Sequence, residues 1–366
     1  FDISSSGAAV TITGTIGGDV PLATLDINDS SGAGAISLKD IGDTDTQGVT
    51  GTSNIGNDTT TTLTLAGTTY KTDAVTYTTK AGENIDLTGG ADTTFTTSSD
   101  AITFGTGTVE MGNGSNLIID TGTSGGAIDL TGGVMGTSSE NITLTAGTGT
   151  VAIGAIGTGS EVADVTITST GATTFSGDFN GGALTNSGPV VVSQDVDIVS
   201  TGAVDFGSTL DSNNGNQNIA VNITGIFTIS GEIGATSPFS TFTLTDADQF
   251  IYSGSSIANF SSGKFSRTGG FAIFNPGPSI DILNTIEKTE NKEIAYFGAQ
   301  VYKSFTSLVS PTVSDLVEEK ISEIKGSIDL SKKSIFGESY KSLKPAKNNK
   351  DFVGERLINN NQDKND

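Results

Sequence analysis

Apolar and polar residues alternate with period two along most of the chain. Val10-Thr-Ile12, Leu63-Thr-Leu65, Val75-Thr-Tyr77, Ile85-Asp-Leu87, Ile102-Thr-Phe104, Ile128-Asp-Leu130, Ile142-Thr-Leu144, Val165-Thr-Ile167, Val204-Asp-Phe206 and Phe227-Thr-Ile229 share one form. In an extended strand neighbouring side chains point to opposite faces, so each triplet sends two apolar groups inward and one Thr or Asp outward. The predicted elements are short, half-buried strands. Gly-Gly, Asn-Gly, Ser-Gly and Thr-Gly pairs fall between them, and these residues accept positive φ or bond back to their own backbone, so the chain turns every few residues. Gly and β-branched Thr are poor helix formers, and no 3.6-residue period competes.

Repeats indicate what the strands build. Val10-Thr-Ile12-Thr-Gly14-Thr-Ile16-Gly17 and Pro21-Leu22-Ala-Thr24-Leu25-Asp-Ile27 recur late in the region, at one constant offset and without a gap, as Phe227-Thr-Ile229-Ser-Gly231-Glu-Ile233-Gly234 and Pro238-Phe239-Ser-Thr241-Phe242-Thr-Leu244. A looser copy reads Gly154-Ala-Ile156-Gly157 and Val162-Ala-Asp-Val165-Thr-Ile167, and Glu83 to Thr88, Gly126 to Thr131 and Glu140 to Thr145 share a shorter word. One coil of two or three such strands cannot bury its own apolar side, so neighbouring coils stack and share a column of Val, Ile, Leu and Phe. The expected fold is all-β: a right-handed parallel β-helix (β-solenoid) over residues 1–262. A coil of about 20 residues gives roughly a dozen turns, and at about 4.8 Å per strand a rod about 5 to 6 nm long. An array of β-sandwiches predicts the same alternation, but such short strands and frequent Gly favour the helix.

Composition changes after Ser262. The first 262 residues hold 27 Asp or Glu, 41 of the 49 Gly, three Lys (Lys39, Lys71, Lys80) and no Arg, whereas the remainder holds 14 acidic and 15 basic residues. A break that sharp marks a domain boundary. Residues 263–340 read as a small mixed α/β segment. Within it Thr312 caps a helix from Val313 to Lys325, with Asp315 at the capping-box position, Leu316, Val317, Ile321 and Ile324 on one face and Gly326 as the stop. Ser279 to Lys303 reads as mixed or weakly helical. Residues 341–366, polar and charged, read as a disordered tail; the Lys-rich stretch from Lys332 to Lys350 reads as solvated rather than bound to acidic surfaces.

Several function classes fall away on composition. With no His and no Cys among 366 residues there is no imidazole or thiolate for a zinc site, a cysteine nucleophile, a Ser-His-Asp triad or a disulfide framework. A net charge of −23 repels phosphate backbones, so nucleic acid is not an expected partner. Val, Ile, Leu and Phe total 91 residues, enough to fold. No run of eighteen apolar residues crosses a membrane as a helix. Phe1 is no initiator Met and no export signal opens the chain, which reads as an internal fragment or processed product.

Candidate chemistry is sparse. Asp43-Thr-Asp45, Asp195-Val-Asp197 and Asp246-Ala-Asp248 each put two carboxylates on one strand face or turn, the beginning of a Ca²⁺ site, yet none continues into an EF-hand loop or a Gly-rich nonapeptide. They read as solvated turn acids. The same pairs are the raw material of a glycosidase or lyase, but the first 262 residues offer no Arg, His or Trp to bind sugar or stabilise charge. Thr11, Thr13 and Thr15, Thr76 and Thr78, and Thr241, Thr243 and Thr245 suggest rows of the kind that bind ice; interruptions by Asp, Ser and Asn leave Thr as an ordinary outward strand residue. Asn141-Ile-Thr143 and similar glycosylation words are expected by chance in so Thr-rich a chain. No catalytic, cofactor-binding or metal-ligating residue is assigned.

The words Thr201-Gly-Ala-Val204-Asp-Phe206-Gly-Ser-Thr-Leu210-Asp, Asn218-Ile-Ala-Val221-Asn, Phe227-Thr-Ile229-Ser-Gly231-Glu-Ile233-Gly234 and Pro238-Phe239 resemble the repeat region of filamentous haemagglutinin-like proteins, large β-helical exoproteins of Gram-negative bacteria. The likeness spans roughly Val10 to Leu244. It implies export through an outer-membrane secretion partner, display at the cell surface or release, and adhesion to a host-cell or glycan receptor. The family's Asn-Pro-Asn-Leu secretion motif is absent, and Asn275-Pro276-Gly277-Pro278 does not replace it, so the resemblance points to a central or C-terminal portion. The expected function is structural and non-catalytic: an extracellular, adhesin-like protein that self-associates, end to end or laterally. A matrix or filament subunit without receptor binding is the alternative, with a polysaccharide-acting β-helix enzyme or an ice-binding solenoid further behind.

Overall fold

The computed structural model describes residues 1–254, apart from Ser31, Asn113 and Ser138, and the backbone of two further strands, Phe260–Arg267 and Phe271–Phe274. The chain divides into two units, Phe1–Tyr296 and Phe297–Asp366; every described residue belongs to the first. The expected helix Val313–Lys325, most of the mixed segment 263–340 and the tail 341–366 lie outside the described residues.

The described part is all-β, a parallel β-solenoid of about 11 turns. One ten-stranded sheet runs from Asp2–Ile3 to Leu210–Ser212. A second begins as six strands, Val10–Ile12 to Val134–Met135, and resumes as five, Phe179–Gly181 to Phe260–Arg267. Ile156 joins the two pieces through single parallel bridges to Val134 and Phe179. The third sheet has ten strands, Thr69–Lys71 to Phe271–Phe274, and bridges from Tyr70 to Ile41 and from Ile41 to Ile16 carry it back to the first coil. Each coil visits the three sheets in order, as Ile102–Thr103, Thr108–Met111 and Leu117–Asp120 do before the chain returns at Ile128. Parallel strands need a long connection between them, and here the other two sides of the coil supply it. The ladders continue past Ser262, so the compositional break falls inside a coil rather than between structures.

Nine of the ten period-two triplets lie wholly on strands, Phe104 falling just past Ile102–Thr103, and their apolar members are buried, Ile12 only partly. Columns form because like positions stack: Val75, Ile102, Ile128 and Val151 follow one another up the first sheet, each buried. Aromatic rings cluster in the interior. Tyr70 stacks on Phe95 at 4.9 Å and Tyr77 on Phe104 at 5.1 Å, while Phe95 meets Phe104 edge-on, also at 5.1 Å. Such offset and edge-on pairs contribute stability beyond the area each ring buries. Coil length is uneven: in the first sheet a short coil carries Thr173 to its partner Val190, whereas a far longer one carries Leu25 to its partner Ser53.

The sequence repeats occupy different sides of the coil. Val10 to Gly17 leads from the second sheet to the third, Val151 to Gly157 from the first to the second, and Phe227 to Gly234 from the third toward the first, where Ile233 bridges Leu210. The local form is the same each time: a short strand, an Ile held by isolated bridges, then a glycine with φ of 66° at Gly17, 73° at Gly157 and 64° at Gly234. A Cβ at Gly17 would lie 2.1 Å from the carbonyl oxygen of Gly48, and one at Gly157 would lie 2.0 Å from that of Asn180. The shorter word behaves alike, with Ile85 on the second sheet, Ile128 on the first and Ile142 on the third. These repeats are corner and strand modules, used on every side of the coil, and they do not mark coil phase.

Candidate functional site

The acidic residues show what occupies the surface. Strands this short leave many corner N–H groups without a ladder partner, and Asp accepts such groups readily. Asp43 Oδ1 accepts the N–H groups of Asp45 at 2.9 Å and Thr46 at 2.6 Å, and these bonds hold its carboxyl below the usual range. Asp195 accepts the Asn218 backbone N–H at 2.9 Å and its side-chain amide at 3.0 Å, with the same effect. Asp197 donates its own N–H to Asp178 Oδ1 at 2.9 Å, and Asp248 donates its N–H to the Gly225 carbonyl at 3.0 Å. The three acidic pairs singled out in the sequence are thus spread over separate corners. Among the described residues no group of three or more Asp and Glu converges on a point that could hold a metal ion.

A ladder of Asp and Asn lines the entrance to the third sheet. Asp92 accepts from the Asn116 amide at 2.7 Å, Asn116 Oδ1 accepts the N–H of Asn141 at 2.7 Å, Asn141 Oδ1 that of Asp164 at 3.0 Å, and Asp164 Oδ1 that of Ala183 at 2.8 Å. Each side chain bonds to a neighbouring coil. This arrangement accounts for Asn141 as a rung-to-rung acceptor.

Glu140 is the most deeply buried acid among the described residues. Burial pushes its carboxyl up. Bonds from the Thr137 hydroxyl at 2.6 Å and the N–H groups of Gly114 at 2.9 Å, Thr137 at 2.7 Å and Ser139 at 3.2 Å outweigh this and bring it down to about 2. Its role is to tie the loop around Thr137 to the coil below.

Two features escape a reading of the sequence because they depend on register. Asp86 and Glu110, one coil apart, are outward neighbours on adjacent strands of the second sheet, in a column that runs Thr64, Asp86, Glu110, Met135. Burial and then the Glu110 charge push the Asp86 carboxyl up. The amide of Asn84 donates to Glu110 at 2.5 Å. Two carboxylates can share a proton, but this column brings no cation beside them. The second feature is threonine. The rows named in the sequence form no continuous threonine column: Thr11 faces Ser37, Thr76 meets Thr103 on one side but Asn54 on the other, and Thr241 and Thr243 face Asn218 and Ala220. The aligned columns lie on the third sheet, where Thr94, Ile118, Thr143, Thr166 and Thr185 form one and Thr96, Asp120, Thr145 and Thr168 the next.

The lysines of the acidic region serve locally. Lys39 donates to the Ala66 carbonyl at 3.0 Å, Lys71 to that of Thr44, and Lys80 lies 4.0 Å from Glu83. Comparison with protein-family models, curated proteins and solved structures finds no match to this chain. The class that the fold defines is a parallel β-solenoid built of repeats.

Proposed function

We propose that this chain is a structural, non-catalytic solenoid of the filamentous haemagglutinin-like kind, displayed at or released from a bacterial surface. The observation that carries the reading is the use made of the acidic side chains. Those that accept corner and rung-to-rung N–H groups, among them Asp40, Asp43, Asp164, Asp195 and Asp211, tie one coil or turn to the next, so this part of the surface chemistry serves the coil stack. Right-handed winding belongs to the same proposal, since parallel strand-to-strand connections are right-handed in nearly all cases. Adhesion to a host-cell or glycan receptor and export through an outer-membrane partner are what the resemblance adds.

Self-association follows from the strand edges. Any coil not covered by another presents unpaired N–H and C=O groups that template further pairing, while like-charged acidic flanks keep rods apart sideways. End-to-end fibres are the expected form. Electron microscopy of the natural material checks this: fibres support the proposal, and solitary rods at high concentration overturn the assembly. Binding of the isolated solenoid to cells or immobilised glycans separates adhesin from matrix subunit, because a matrix subunit forms fibres yet binds neither.

A further inference from the structure

We draw no further inference here: the strongest candidate, the paired threonine columns on the outer face of the third sheet (Thr143 with Thr145, Thr166 with Thr168), is an unpartnered sheet face, and nothing in the structure shows what covers it.

Discussion

Asp164 Oδ1 accepts the backbone N–H of Ala183, on the next coil, at 2.8 Å. Leu184, the next residue, opens a third-sheet strand stacked on Val165, so this bond sets the entry of one coil over another. Asp164→Ala leaves a corner N–H without its acceptor and should cost about 1 kcal/mol. Asp164→Asn, which keeps an acceptor oxygen, should recover most of the loss. Denaturant melts of the two variants measure the difference.

Glu140 gives the solenoid a dependence on acid. Its folded-state value of about 2 lies below its ordinary 4.5, so the native state holds the charged form more strongly than the unfolded chain does. The contribution is fully present above pH 4.5, shrinks as pH falls toward 2 and is absent below it. It should be on the order of 1–3 kcal/mol. Melting temperatures of the native chain and Glu140→Gln should therefore differ at pH 7 and converge as pH approaches 2; a constant gap would refute the assignment.

Ser99 sits at φ of 117°, a conformation that glycine adopts freely and other residues do not. Ser99→Gly should stabilise the chain by about 1 kcal/mol by relieving that strain. Asn28 also has positive φ, at 50°, but its side chain accepts the Ser5 N–H at 2.7 Å. Asn28→Ala should destabilise. Opposite shifts in melting temperature are the expected result.

The Tyr77 hydroxyl is buried without a hydrogen-bond partner, although its ring packs on Phe95 and Phe104. Removing the oxygen relieves a desolvation cost of about 1–3 kcal/mol and keeps the ring contacts. Tyr77→Phe should be neutral or stabilising in a thermal melt, whereas Phe95→Ala, which empties the centre of that aromatic group, should cost about 3–5 kcal/mol.

The corner glycines should behave alike on different sides of the coil. Gly17→Ala and Gly157→Ala each force a Cβ against a carbonyl oxygen, at 2.1 and 2.0 Å, in a backbone region that L-residues avoid. Each should lose more than about 1 kcal/mol, and comparable losses in melts of the two single variants would show the corners to be equivalent.

Much of the fold was legible because period two is a local property. Val75-Thr-Tyr77 and Ile128-Asp-Leu130 announce inward and outward faces without reference to the rest of the chain, and both are strands with buried ends. Tyr70 and Phe95 were less visible, flanked by Thr and Lys in words that name one inward residue at a time. Register was not legible. Coils of unequal length, as those closed by Thr173 with Val190 and Leu25 with Ser53 are, set which outward residue lies over which. A strand triplet says nothing of the loop that precedes it. Hence Asp86 beside Glu110, and Thr143 under Thr166, emerge only from the pairing. The repeats correctly signalled stacked coils but not their phase: identical words promise identical local geometry, not the same place in the coil.

Because one word turns the chain at all three corners, the polypeptide carries no local label for which flank it is building. Adding or deleting a single side with its bend would advance everything downstream by one click of a three-toothed ratchet. The order in which sides are laid down, not any corner word, therefore fixes which way each outer face of a winding points.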